Sequence, residues 1–592
     1  MPVSRTPHTS PSREQQDPGK NLEATTPAAE GSNPEASNGG PAVSRRGFLT
    51  GLGGAGVLAA TGLAGGSAVV APQRVEAAEV EASTARRRAI EAFRVRSRAA
   101  RNLVDVDQPE QAVNGDDEFY ADRRASFFKA MPQNSLGEVD TAAYDQLLAA
   151  LASGASADFD AIDLAPQADR RLANPQGSFA FEMTGGDGHS CRIPAAPTFA
   201  SATSAAEMGE VYWQALTRDV PFNDYSSDPM VAAAVADLNA FSATVGPKVG
   251  GAVTTDTLFR GETPGDLVGP YISQFLWLPV PYGPSTIEQR YSRPEVGDDF
   301  MTSYGDWLAV QRGVNPAAGI TFDGTPRYIS NNRGLGEWVH GDFSYQGYLN
   351  AALILLGFGA ETLSDRNPYR VILNQGSFVT FGGPQILDLV AKASSVALKA
   401  AWYQKWLVHR RLRPEVYAAR VENQQNGSKN YGVHSDVLNS DAVARLLSDN
   451  GNTLLPLAFP EGSPTHPSYP AGHACIAGAC CTVLKAFFKE SYVLPAPVTT
   501  DADGLNLDPW TGADLTVGNE INKLAANISI GRDAAGVHYR SDGIDGITAG
   551  EQVAIAMLQD YSIAFSEAAD GFELTRFDGQ RILIANGQVQ EL

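Results

Sequence analysis

Apolar side chains recurring at helical spacing over four long stretches restrict this chain's fold more than any other feature. They run from Trp338 through Tyr348 to Leu356, from about Pro384 to Arg411, from Gly472 to Phe488 and from Gly550 to Ala568. Each is too long for an ordinary strand, and a period near 3.6 puts its apolar residues on one face. Such faces must be hidden against one another, so the expected fold is all-α: helical bundles, in two halves of the four-helix-bundle type, with minor β hairpins. One hairpin is expected at the C-terminus, where Ile582 to Ile584 and Val589 flank the turn pair Asn586-Gly587. Residues 110 to 270 alternate short helical patterns with Gly, Pro, Asp and Ser clusters and carry no functional signal beyond packing and loops.

Charge limits the partners. Sixty-seven acidic against 45 basic side chains leave a net charge of -22 over 592 residues, which disfavours nucleic acid and an anionic membrane surface. A small anion drawn into a local basic pocket is still compatible with that balance. Residues 1–43, rich in Pro, Ser and Gly, are expected to be disordered. Ser44-Arg45-Arg46-Gly47-Phe48-Leu49, an uncharged Gly- and Ala-rich run and the small residues Ala77 and Ala78 resemble a twin-arginine export signal over 44–78. The expected location is therefore secreted, periplasmic or cell-surface. Residues 79–592 form the expected helical domain, with the active site within 384–568. From Ala78 to Arg101 a helix with a basic, solvated face is expected. No later segment has 18 uninterrupted apolar residues, so no stable membrane partner is expected. The four cysteines, Cys191, Cys475, Cys480 and Cys481, lack metal-ligand spacing and read as buried thiols, with a disulfide open after export.

Three segments concentrate the side chains that an oxyanion needs. In the first, Lys405 is followed eight residues later by Arg413, and Pro414 disfavours helical geometry at Arg413, so the arginine can turn toward a site at a helix end. In the second, Pro470-Ala471-Gly472-His473 precedes the apolar helix, placing free N–H groups, a favourable dipole and an imidazole at one point. In the third, Arg532 precedes Gly536-Val537-His538 and Asp542. With a helix beginning near Gly536, His538 and Asp542 stand at i and i+4, and the carboxylate fixes the ring's tautomer. Singly, each has a plainer reading: Lys405 and Arg413 as cations answering a helix dipole or water, His473 as the cap of a core helix, and His538 with Asp542 as a surface pair. Together they describe a pocket for a tetrahedral oxyanion.

The set resembles the signature shared by vanadium-dependent haloperoxidases and the related acid phosphatases: Lys405, Arg413-Pro414, Pro470-Ala471-Gly472-His473, then Ser529-x-x-Arg532-x-x-x-Gly536-x-His538-x-x-x-Asp542. Phe381-Gly382-Gly383-Pro384, Glu461-Gly462-Ser463-Pro464, Gly550-Glu551-Gln552 and Pro326-Arg327-Tyr328 are similar to the algal bromoperoxidases. The eight-residue step from Lys405 to Arg413 also favours that branch, as do His466, seven residues before His473, and Trp402, three before Lys405. The resemblance implies vanadate as cofactor, bonded by His538 and held by Lys405, Arg413, Arg532 and the Gly472 amide. It implies His473 as acid–base catalyst, with His466 and Lys405 also catalytic, and Asp542, Trp402 and Ala471 around them. It implies hydrogen peroxide, a halide and small organic acceptors as partners, homo-oligomers, and structural calcium in some members. The activity implied is halide oxidation by peroxide to hypohalous acid. The rivals are a secreted acid phosphatase with His538 as nucleophile and a non-enzymatic anion-binding protein. Where the family pattern has serine, this chain has Ala471, which removes a hydroxyl from the anion's surroundings.

Overall fold

Four helices of the C-terminal third, Gly383–Tyr403, Gly472–Phe487, Val517–Ala534 and Arg540–Ser562, pack side by side as a bundle with the second in its middle. Every residue of Gly472–Phe487 except His473 is buried. Its contact with Arg540–Ser562 is so close that backbone meets backbone: a Cβ on Gly478 would lie 2.1 Å from the Ile547 carbonyl oxygen, and one on Gly550 1.9 Å from that of Cys475. Only glycine permits this approach, and it fixes the two helix N-termini beside each other.

The computed structural model describes the backbone of residues 72–592. The disordered segment expected over 1–43 and the export signal over 44–78 lie outside the described residues, except for 72–78, which open the helix Pro72–Val104. The chain divides into two units at Glu91 and Ala92. In the first, Arg86, Arg87 and Arg88 are exposed on that helix, in line with the solvated basic face expected. The second is helical, with strands only in small antiparallel pairs and one three-stranded sheet at the C-terminus. In that sheet Arg581–Ala585 and Gln588–Glu591 pair across Asn586 and Gly587, both at positive φ, as the turn pair requires, and Phe572–Thr575 adds a third strand.

Element boundaries depart from the sequence reading in several places. The run from Trp338 to Leu356 is two helices, Asn332–Gly341 and Gln346–Phe358. The helix expected from Pro384 to Arg411 is α-helical only to Tyr403; Gln404–His409 widen into one π turn, and Arg410 is left-handed with φ 49°. The helix expected over Gly550–Ala568 begins at Arg540 and ends at Ser562, because Tyr539 and Asp542 form a capping box ahead of it. The helix Val517–Ala534 was missed, since Asn519, Glu520, Asn522, Lys523 and Asn527 interrupt its apolar pattern; all five are buried except Asn519. All four cysteines are buried free thiols. Among the described residues no helix is long and apolar enough to cross a membrane.

Candidate oxyanion site

The π turn changes how Lys405 is presented. Wholly buried, its Nζ donates to the carbonyl oxygens of Pro467 and Ser468, both at 2.7 Å, which leaves one ammonium hydrogen uncommitted. A single π turn inside an α-helix is a device found at functional sites, because it turns side chains off the regular helical face. Arg413, one residue before the helix Pro414–Gln425, donates through Nε to the His466 carbonyl (3.0 Å) and through Nη1 to that of Val537 (2.7 Å). Its Nη1 also lies 2.9 Å from His538 Nε2, and its Nη2 3.0 Å from His466 Nδ1. Arg532, in the last turn of Val517–Ala534, donates Nη1 to the Val339 carbonyl at 2.8 Å, while its buried Nε has no hydrogen-bond partner.

His538 Nδ1 lies 2.8 Å from Asp542 Oδ2. Since a carboxylate accepts, Nδ1 carries the proton, and Nε2, facing Arg413, keeps its lone pair. The expected pairing is therefore made, but not as i and i+4 on one helix face. Gly536 at φ 84° reverses the chain after Ala534, His538 precedes the next helix, and Asp542 reaches back from its first turn, also accepting the Tyr539 N–H at 3.2 Å. His473, at the second position of Gly472–Phe487, is partly exposed, and its Nε2 lies 3.0 Å from Asp342 Oδ1. Trp402 packs on His466 with ring centroids 4.7 Å apart and donates its indole N–H to the Ala173 carbonyl.

This concentration of buried positive charge shifts every group in it. Burial, and then the neighbouring Arg413, push Lys405 well below the usual lysine value. Burial takes Arg413 down to about 9, lowers Arg532, and drives His538 and His466 far below the ordinary imidazole value. Both histidines are neutral at pH 7. The carboxylate that acts most on Lys405 and Arg413, Asp542, is occupied by others: Arg411 Nη1 holds its Oδ1 at 2.8 Å, and Ser468 Oγ donates to its Oδ2. Three buried cations thus converge on a neutral imidazole nitrogen with no carboxylate of their own, a charge balance that an oxyanion completes.

Residues 385–566 match the family described as the VCPO second helical-bundle domain. Over 518 residues the chain is 35% identical to a vanadium-dependent bromoperoxidase of Ascophyllum nodosum, covering 83% of this chain and 91% of the relative. Over 559 residues it is 33% identical to one of Corallina officinalis, covering 80% and 92%. The homohexameric second vanadate-dependent bromoperoxidase of A. nodosum superposes with a TM-score of 0.81 at 28% identity, over 92% of this chain and 96% of that one. This chain belongs to the vanadium-dependent bromoperoxidase family.

The pocket fits the cofactor that the family name implies. A tetrahedral oxyanion needs N–H donors without acceptors, and the orphaned Arg532 Nε, the third hydrogen of Lys405 and the N-terminal amides of Gly472–Phe487 are donors of that kind. Among the described residues no group of three or more His, Cys, Asp or Glu is placed to hold a metal ion.

Three residues of the site were not found by sequence reasoning. Asp342 and Arg411 belong to no spacing pattern, and Glu207 sits on the buried helix Ala202–Leu216, in the stretch read as packing alone. Glu207 Oε2 accepts from Arg411 Nη2 at 2.8 Å, and its Oε1 accepts the Ser541 N–H at 2.7 Å. The first half of the chain therefore supplies the outer support of the histidine that the second half presents.

Proposed function

We propose that this pocket holds vanadate and that the chain, a haloperoxidase by family, uses hydrogen peroxide to oxidise bromide, iodide or chloride to hypohalous acid, which halogenates small electron-rich organic molecules. The observation that carries this reading is the His538 Nε2 lone pair, fixed by Asp542 and fronted by three buried cations without a carboxylate of their own. In it, His538 gives vanadium its protein ligand, and Lys405, Arg413, Arg532 and the Gly472 amide hold the oxygens. Bound vanadate supplies Lewis-acid activation of hydrogen peroxide toward attack by halide.

The protein's own groups do the rest. His473, with Nε2 committed to Asp342, has Nδ1 left to take a proton from hydrogen peroxide and to return it as the product leaves. Lys405 keeps one N–H to polarise an oxygen undergoing attack. His466 accepts from Arg413 and packs on Trp402, so its role here is to orient that guanidinium. A halide series with hydrogen peroxide and a phenolic dye, run after chelator dialysis with and without added vanadate, tests the reading. Vanadate-dependent halogenation is expected. Phosphate-ester hydrolysis that vanadate inhibits would establish the phosphatase instead, which family membership does not favour.

Export by the twin-arginine route belongs to the same proposal, supported by Arg45-Arg46 and the run that follows. Replacing both arginines by lysine should retain the protein in the cytoplasm; undiminished export would remove this part. Assembly into a homo-oligomer is proposed on the strength of the homohexameric relative.

A further inference from the structure

The helix Val517–Ala534 borders two sites. Arg532 serves the oxyanion pocket, whereas Ala526, Ile530 and Asp533 line a separate cavity of about 340 Å³. The helix Arg540–Ser562, the loop Gly261–Asp266 and the turn Arg576–Asp578 close its other sides. That volume lies within the range of small-molecule sites, about 300–1,000 Å³.

We infer that this cavity binds a protonated organic amine with an apolar body. Two buried carboxylates on its wall carry the argument. Asp533 is 3% exposed, and its Oδ1 has no hydrogen-bond partner. Asp266, 1% exposed, uses Oδ2 to accept from Thr263 N and Oγ1, both at 2.8 Å, and leaves Oδ1 without a partner. A buried carboxylate oxygen without a donor is costly, and burial holds both acids above the usual carboxylate range, so a cation that arrives with its own N–H donors has most to gain beside them.

The neighbouring cations are committed elsewhere. Arg540 grips Glu210 through Nε and Nη2 and the Arg260 carbonyl through Nη1. Arg260 caps the carbonyls of Asp266, Gly269 and Pro270. Lys523 is held by Glu520 and the Val268 carbonyl, and Arg576 by Glu551 and Asp578. A metal ion is a poor complement, since among the described residues no group of three His, Cys, Asp or Glu is placed to hold one. Ile530, Ile544, Ile547 and Phe577 supply apolar wall for the body of the ligand. An ammonium head with N–H donors on an aromatic or alkyl body matches both parts of the lining.

Calorimetric titration of the full chain with 2-phenylethylammonium, against the neutral 2-phenylethanol, tests this without reference to vanadate or turnover. One saturable site per chain is expected, with the alcohol at least tenfold weaker. Asp533→Asn and Asp266→Asn should each weaken the ammonium at least tenfold while leaving the circular dichroism spectrum unchanged. Absence of saturable binding, equal binding of the alcohol, or wild-type affinity in both folded variants would overturn the inference. Should either variant fail to fold, the comparison of ammonium with alcohol on the wild type decides alone.

Discussion

Ala471 is the N-cap of the central helix and gives it no side-chain cap, because a methyl group stands where a hydroxyl would accept an N–H or donate to an anion. Its full burial means that water does not readily replace the missing group. In Ala471→Ser, a hydroxyl bonded to a charged oxygen is worth about 1.5–3 kcal/mol, so the vanadate dissociation constant should fall by roughly ten- to a hundredfold. Titrating metal-free protein with vanadate checks it, and an unchanged constant would show that the hydroxyl turns inward to cap the helix. His473 answers to a different measurement. His473→Ala removes the group proposed to move the proton, so kcat/KM for hydrogen peroxide should drop by about 10²- to 10⁴-fold while vanadate binding changes only a few fold. Asp342→Asn keeps a hydrogen bond to the ring but loses the carboxylate, and should give a smaller loss with an altered pH profile.

The turn between Val517–Ala534 and Arg540–Ser562 is where the sequence was legible for a reason the structure revises. Spacing alone paired His538 with Asp542, and they do pair, but across a helix start, held by a capping box and by Arg411 lying 4.0 Å over the Tyr539 ring. Lys405, Arg413, Gly472 and His473 were legible because proline, glycine and helix ends mark backbone geometry within a few residues. Arg411 and Glu207, 204 positions apart, leave no local trace. Their meeting is decided by how the Ala202–Leu216 helix packs against the site. The consequence is testable. Arg411→Met leaves Asp542 and Glu207 buried without their cation, so the variant should lose about 3–5 kcal/mol in urea unfolding. It should also bind vanadate at least tenfold more weakly, because the His538 ring is no longer held. A variant that unfolds like the wild type would mean that Ser468 and the Tyr539 N–H hold Asp542 unaided.

At the scale of the molecule, a net charge of -22 keeps copies apart unless an apolar surface outweighs the repulsion. Such a surface is present in the loop before Gly383–Tyr403, where Val371 is 81% exposed, Phe378 69% and Val379 76%, with Leu373 wholly exposed. Four large apolar side chains facing solvent within nine residues are unusual on a monomer and mark an interaction surface. If the proposed homo-oligomer uses it, a charge placed there faces its own copy or an apolar partner and is desolvated on assembly. Leu373→Asp combined with Phe378→Asp should therefore reduce the sedimenting species toward the 62.7 kDa protomer. The segments that carry Lys405, His473 and His538 are buried in one continuous core within the protomer, so each protomer should still bind vanadate. Sedimentation velocity of the variant beside the wild type decides it: an assembly of undiminished mass places the interface elsewhere, and loss of vanadate binding on dissociation would mean that the pocket depends on a neighbouring copy.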